Sequence, residues 1–302
     1  MITYKAKTAS GEIIKSALSP FSFPAGEAHI KREEQRELEP TEIAIIQPDA
    51  NSIHDDLFQL AMWNDYVTEE GDVNTKRVLI LPYVPGARAD RGTPFGLHIY
   101  TSFINDLDLD QIIVFDPHSP VTEKLLGSYD ETLPGGSTLT IVNSDELFDG
   151  VHTSLYNFEQ YAGIIAPDKG AVKRAHAVAN RLEIPLFRAE KKRDEDSGKL
   201  SGFTVESLPR EGKLLLIDDI CDAGGTFLGL ADASGLSKER LDLFVSHGVF
   251  SRNAETALPE KYGKVFTTNS YNPNRPLGDG NEITNGNFVR FDVIRLLLSK
   301  IN

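Results

Sequence analysis

Residues 214–226 read Leu-Leu-Leu-Ile-Asp-Asp-Ile-Cys-Asp-Ala-Gly-Gly-Thr, an apolar run that delivers two adjacent acids to a short glycine-containing turn. Asp218 and Asp219 suit the hydroxyls of a ribose, directly or through a divalent cation. Gly224 and Gly225 would let the backbone approach a phosphate closely, while free N–H groups at the start of a following helix donate to its oxygens. Thr226 adds a hydroxyl donor, so the segment reads as a phosphate site beside a diol site. The plainer alternative is that Asp222 caps a helix and the two glycines make a tight turn. Capping alone does not explain two consecutive acids at a strand end. Cys221 has no basic or histidine neighbour in sequence and reads as a small packed residue rather than a nucleophile.

The other residues able to do chemistry are clustered cations. The 302-residue chain carries 31 Lys and Arg against 45 Asp and Glu, a net charge of −14, which argues against binding long nucleic acid. Basic groups nevertheless gather at residues 88–91, 169–174 and 191–193, as discrete small-anion sites or as solvated faces. There is no Gly-x-x-x-x-Gly-Lys-Ser/Thr loop, no Cys/His spacing for zinc and no Gly-x-Ser-x-Gly elbow. A single cysteine and the absence of an apolar signal core or a membrane-length apolar run lead us to expect a soluble, cytoplasmic protein.

These groups need a scaffold, and the apolar pattern supplies one. Short β-branched runs alternate with amphipathic stretches, the signature of an α/β chain. Strands are expected at 42–47, 77–81, 111–115, 137–142, 162–166, 213–217, 241–246 and 264–268, and helices at 52–66, 96–105, 170–182, 226–233 and 291–301. Ser52 is placed to cap the first helix, with Ile53, Leu57, Leu60 and Ala61 on one stripe and Trp63 as packing. Several strands end in polar or proline turns, where open parallel sheets bind ligands. With 40% hydrophobic residues the chain is long enough for about two domains, divided here at 1–145 and 146–302, with the last helix able to pack back on the first.

The segment around Asp218 resembles the phosphoribosyl-diphosphate (PRPP) loop of the type I phosphoribosyltransferase fold, shared by phosphoribosyltransferases and ribose-phosphate diphosphokinases. Other segments favour the second family, and together the resemblance covers nearly the whole chain. Phe23-Pro24-Ala25-Gly26-Glu27 is similar to its Phe-x-x-x-Glu loop, and Pro82-Tyr83 with Ala87-Arg88-Ala89-Asp90-Arg91 to its nucleotide loop. Asp116-Pro117-His118 matches its Asp-x-His strand end, and Pro167-Asp168-Lys169-Gly170 its Pro-Asp-x-Gly turn. Lys191 and Arg193, within the polar stretch 190–199, fill its catalytic-loop Lys-x-Arg, and Ser246-His247-Gly248 resembles its Thr-His-Gly.

The resemblance implies two tandem phosphoribosyltransferase-like domains, each a mainly parallel sheet flanked by helices. It implies transfer of the β,γ-diphosphate of ATP to the anomeric hydroxyl of ribose 5-phosphate, giving PRPP and AMP. The roles it implies are ATP binding by Phe23, Glu27, Arg88, Asp90 and Arg91, and catalysis by Lys191, Arg193 and His118. Asp116, His118 and Asp168 would hold Mg2+, while Asp218, Asp219, Asp222, Ala223, Gly224, Gly225 and Thr226 would bind the ribose phosphate. On the residues alone, Asp116 and Asp168 are equally helix caps, His118 a turn histidine, Phe23 a core residue, and 191–196 a solvated charged stretch. A homo-oligomer, dimer or hexamer, is implied, because the Phe23 loop contacts ATP of a neighbouring subunit in that family. Three departures stand out. Ala89 replaces a glutamine, Ala25 a polar residue, and Ala223 the first threonine of the phosphate loop. The last widens the candidates to a 5′-substituted acceptor such as ADP-ribose. A non-catalytic, nucleotide-binding relative and a phosphoribosyltransferase are the competing readings.

Overall fold

The structure is a computed structural model that describes residues 1–33, 36–127, 137–149, 158–193, 200–274, 283–284 and 287–302; of residues 191–193 it describes the backbone. The chain divides into two compact units, residues 1–142 with 270–273 and 294–302, and residues 143–269 with 274–293.

The first unit begins with β1 (Ile2–Lys7), β2 (Ile13–Lys15), β3 (Leu18–Ser22), β4 (Ala28–Arg32) and β5 (Thr41–Ile46). There follow α1 (Ile53–Glu70), β6 (Lys76–Leu81), α2 (Gly96–Asn105), β7 (Gln111–Phe115), α3 (Pro120–Leu126) and β8 (Thr138–Val142). The six-stranded sheet runs β2-β1-β5-β6-β7-β8, parallel from β5 to β8 and antiparallel at β1 and β2. β5 and β7 are buried along their whole length, as a sheet covered on both faces requires. β1 instead alternates, with Ile2, Tyr4 and Ala6 buried between more exposed neighbours. From α1, Leu57, Leu60, Trp63 and Val67 enter the core, and Trp63 stacks on Tyr4 with ring centroids 6.1 Å apart. Ser52 does not cap α1 as expected: its own backbone is already helical, and its hydroxyl donates to Asp56 Oδ2 at 2.7 Å.

The second unit contains β9 (Gly163–Ala166), α4 (Val172–Arg181), β10 (Leu186–Arg193), β11 (Leu200–Val205), β12 (Leu214–Cys221) and α5 (Gly225–Ser234). It continues with β13 (Leu241–Gly248), α6 (Ala254–Lys261), β14 (Val265–Thr268), β15 (Ile283–Thr284) and β16 (Phe288–Phe291). Its eight strands run β11-β10-β9-β12-β13-β14-β16-β15, parallel except at the β10–β11 and β15–β16 edges. The final element, α7 (Ile294–Leu298), belongs to the first unit and packs on β7.

Both units thus have mainly parallel sheets flanked by helices. Three expectations need correcting. The single helix expected over 291–301 is a strand ending at Phe291 followed by the short α7, because the alternating Phe-Val-Arg-Phe completes the sheet beside β14. Lys191 and Arg193 are not in a loop. They lie on β10, paired through Lys191↔Phe203 and Arg193↔Leu200 with the β-prone strand β11. The strand expected to stop at Ile217 continues through Cys221, since β13 offers partners as far as Cys221↔Gly248. No helix among the described residues is long and apolar enough to cross a membrane.

Candidate active site

In the first unit the candidate residues sit on three turns. Phe23 and Glu27 close the β3–β4 hairpin, where the Phe23 N–H donates to the Glu27 carbonyl at 2.9 Å and Gly26 takes φ +96°. The Phe23 ring leans edge-on against Phe21 (5.0 Å) and His29 (5.4 Å) yet remains 45% exposed, so it is a propped stacking surface and not core. Glu27 is exposed beside it.

Beyond β6, the chain turns through Gly86 (φ +72°), where any side chain would strike Tyr100. The Ala89 carbonyl then accepts the N–H of Leu97 in the first turn of α2 at 3.1 Å. This leaves Arg88 and Arg91 exposed, with Asp90 half-buried and paired to Arg91 at 3.4 Å. Two mobile-stemmed guanidiniums on one turn suit a polyphosphate, since each can bind oxygens in a bidentate manner.

At the carboxyl end of β7, Asp116 is buried and held at φ +39° by its N–H bond to the Val142 carbonyl (2.8 Å). A non-glycine residue in the left-handed region carries strain, and such residues gather at functional sites. His118 stands exposed two residues later. Neither residue caps α3, whose preceding residue is Ser119.

In the second unit, Asp168 follows β9 and its Oδ1 accepts the N–H groups of Gly170 (2.9 Å) and Ala171 (3.2 Å). These bonds close a turn ahead of α4, whose cap position is Ala171. On β12, Asp218 and Asp219 both face Arg174 of α4, at 3.9 Å and 3.7 Å, and the arginine side chain is only 12% exposed. Burial, then the adjacent Asp219 charge, push the Asp218 carboxyl well above the usual carboxylate range, against the pull of Arg174. Adjacent carboxyl groups offer several oxygens to the hydroxyls of a diol.

The turn after β12 ends at Gly224, whose left-handed backbone (φ +79°) aims the chain into α5 with no side-chain cap on the helix start. N–H groups in the first turn of a helix attract anions, and at Gly225 nothing stands within 4 Å of where a Cβ would project. Thr226 is half-buried in the same turn, and Ala223 precedes it. Asp222 Oδ1 accepts the Ser251 hydroxyl at 2.5 Å, and the cap position of α5 is Gly224. Cys221 is buried and its thiol is pushed far up by burial, which removes it from nucleophilic chemistry.

Arg174 and Ser251 are the two residues that sequence reading did not single out. Arg174 was visible as a cation beside the inward-facing Ala175, Val178 and Ala179 of α4. Ser251 had no local signal. The side chains of Lys191 and Arg193 lie outside the described residues. Among the described residues, no three His, Cys, Asp or Glu side chains converge as a closed metal cage.

Residues 140–276 match the phosphoribosyl transferase domain family. The chain is 28% identical over 276 residues to a ribose-phosphate pyrophosphokinase of Pyrococcus furiosus, covering 88% of this chain and 91% of that one. A ribose-phosphate pyrophosphokinase of Mycoplasma genitalium is also 28% identical, over 265 residues, with 82% and 73% covered. The structure superposes on phosphoribosylpyrophosphate synthetase from Mycobacterium smegmatis with a TM-score of 0.72 at 20% identity, spanning 94% of this chain and 89% of that one. The chain is similar over most of its length to ribose-phosphate diphosphokinases, and it shares their fold. The acid pair and the glycine turn lie within the residues that the phosphoribosyl transferase domain match covers.

Proposed function

We propose that this enzyme transfers the β,γ-diphosphate of ATP to the anomeric hydroxyl of ribose 5-phosphate, giving PRPP and AMP. The observation that carries the reading is the carboxyl end of β12, where a buried acid pair shares one arginine and an uncapped glycine turn opens a helix. The anomeric oxygen attacks the β-phosphorus of ATP, the bond between that phosphorus and the oxygen bridging to the α-phosphorus breaks, and the hydroxyl proton leaves to solvent. Asp218 and Asp219 hold the ribose hydroxyls, and the α5 N–H groups with Thr226 hold the 5-phosphate. Arg88 and Arg91 bind the triphosphate, Phe23 stacks on the base beside Glu27 and Asp90, and Lys191, Arg193 and His118 stabilise charge on the transferring and leaving groups.

Asp116 and His118 after β7, and Asp168 after β9, would each offer a donor to magnesium, an ion that takes few protein ligands and keeps waters and substrate oxygens. When bound it would neutralise phosphate charge. The reading brings with it a homo-oligomer in which the Phe23 hairpin serves a neighbouring copy, and a cytoplasmic setting. A second acceptor, ADP-ribose, is favoured by Ala223, which removes a hydroxyl from the turn, and by the open space over Gly225. Phosphorus NMR of ATP and magnesium with each acceptor tests both. AMP with a new sugar diphosphate is expected, the faster acceptor identifies the substrate, and absence of AMP with either would leave the regulatory, non-catalytic reading.

A further inference from the structure

The phosphate turn contains a carboxylate. Asp222 lies two residues before Gly224, in a segment whose proposed ligand is an anion, and an unrestrained negative charge there would oppose binding. The connection between β13 and α6 fastens it. The Phe250 N–H donates to the Cys221 carbonyl at 2.9 Å, the Ser251 N–H to the Asp222 carbonyl at 3.0 Å, and the Ser251 hydroxyl to Asp222 Oδ1 at 2.5 Å. Both neighbours of Ser251 are left-handed, Phe250 at φ +43° and Arg252 at φ +57°. Such a conformation is strained for an ordinary residue, and it is retained here on either side of one serine. Phe250 is buried, edge-on to Phe288 at 5.2 Å, so packing holds the strained backbone in place. The same connection continues into Ala254 and Leu258 of α6, which lie 3.6 Å and 3.5 Å from where a Gly224 side chain would project.

We propose that Ser251 is a positioning residue that sets the affinity of the Asp222–Thr226 turn for a phosphate monoester, by pinning the Asp222 carboxylate and drawing off part of its charge. The inference rests on reading that turn as the acceptor's phosphate site. Calorimetric titration of the full chain with ribose 5-phosphate tests it. Ser251→Ala is expected to bind about tenfold more weakly, the loss of one hydrogen bond to a charged group. Ser251→Thr, which keeps the hydroxyl, should bind nearly as the wild type does, and KM for ATP should not move. Adding Asp222→Asn to Ser251→Ala should recover much of the loss, because the charge is then gone; a merely structural serine would show no such rescue. Should the alanine variant not fold, Ser251→Cys, of similar size but a weak donor, carries the same comparison. Equal binding by wild type and Ser251→Ala, or a loss that Asp222→Asn leaves untouched, would overturn the proposal. AMP release by the wild type judges the diphosphotransfer reading separately, since monoester binding without AMP sinks that reading alone.

Discussion

An acid next to another acid, with one arginine between them, is held in tension. Asp218 carries a carboxyl pushed above its ordinary range, so its proton is bound more tightly in the folded chain than in the unfolded one. The stability it contributes is therefore complete below the unfolded value of about 3.9 and is lost as the pH rises through the raised folded value. Asp218→Asn should accordingly melt higher than the wild type near pH 7.5, by about 2 °C or more, with the difference closing toward pH 4. Ribose-phosphate binding should fall in the same variant. Calorimetric melting across that pH range checks the sign; a variant less stable at pH 7.5 than at pH 4, relative to wild type, contradicts it. The adjacent acids were legible as chemistry because nothing structural asks for two carboxylates on a buried strand. Arg174, which faces both, was not, since its neighbours along the chain are other cations and its partners are more than forty positions away.

At the scale of elements, legibility followed burial. β5, β7 and β12 carry continuous apolar runs, the mark of strands covered on both faces, and their cores stood out in the sequence. Strands without such a run did not: β1 alternates, the β3–β4 hairpin mixes aromatic with polar residues, and β10 ends in three consecutive cations that read as a loop. The turn between β12 and α5 allows a clean separation of stability from binding. Gly224 needs its left-handed backbone but has ordinary room for a methyl, so Gly224→Ala should cost ~1–2 kcal/mol and weaken acceptor binding together. Gly225 has open space and no left-handed angle, so Gly225→Ala should leave the melting temperature within about 1 °C, as surface changes usually do. Its methyl would still stand where the phosphate must approach, and the acceptor KM should rise. Equal effects of the two substitutions on melting would show that the turn is not strained at Gly224.

For the whole molecule, a net charge of −14 coexists with cations placed locally, at Arg88 and Arg91 on one turn and Arg174 on one helix. The first unit is also closed by residues distant in sequence. Gln111 on β7 donates to the Lys300 carbonyl at 3.0 Å, Lys7 on β1 donates to the Ile301 carbonyl at 3.0 Å, and Leu296, Leu297 and Ile301 are buried there. Removing residues 294–302 should therefore destabilise the first unit by several kcal/mol, the usual cost of emptying two or more buried apolar positions. Hydrogen exchange should show β7 losing protection while β12 and β13 keep theirs; uniform loss in both units would contradict this independence. The Gln111–Lys300 bond spans 189 positions, and a ribosome delivers the chain one residue at a time from its amino end. Domains ordinarily mature in the order in which they emerge. Here the order is inverted: the second unit has all its residues while the first still waits for its last nine, so a nascent chain halted at residue 293 would hold a finished second half and an unfinished first.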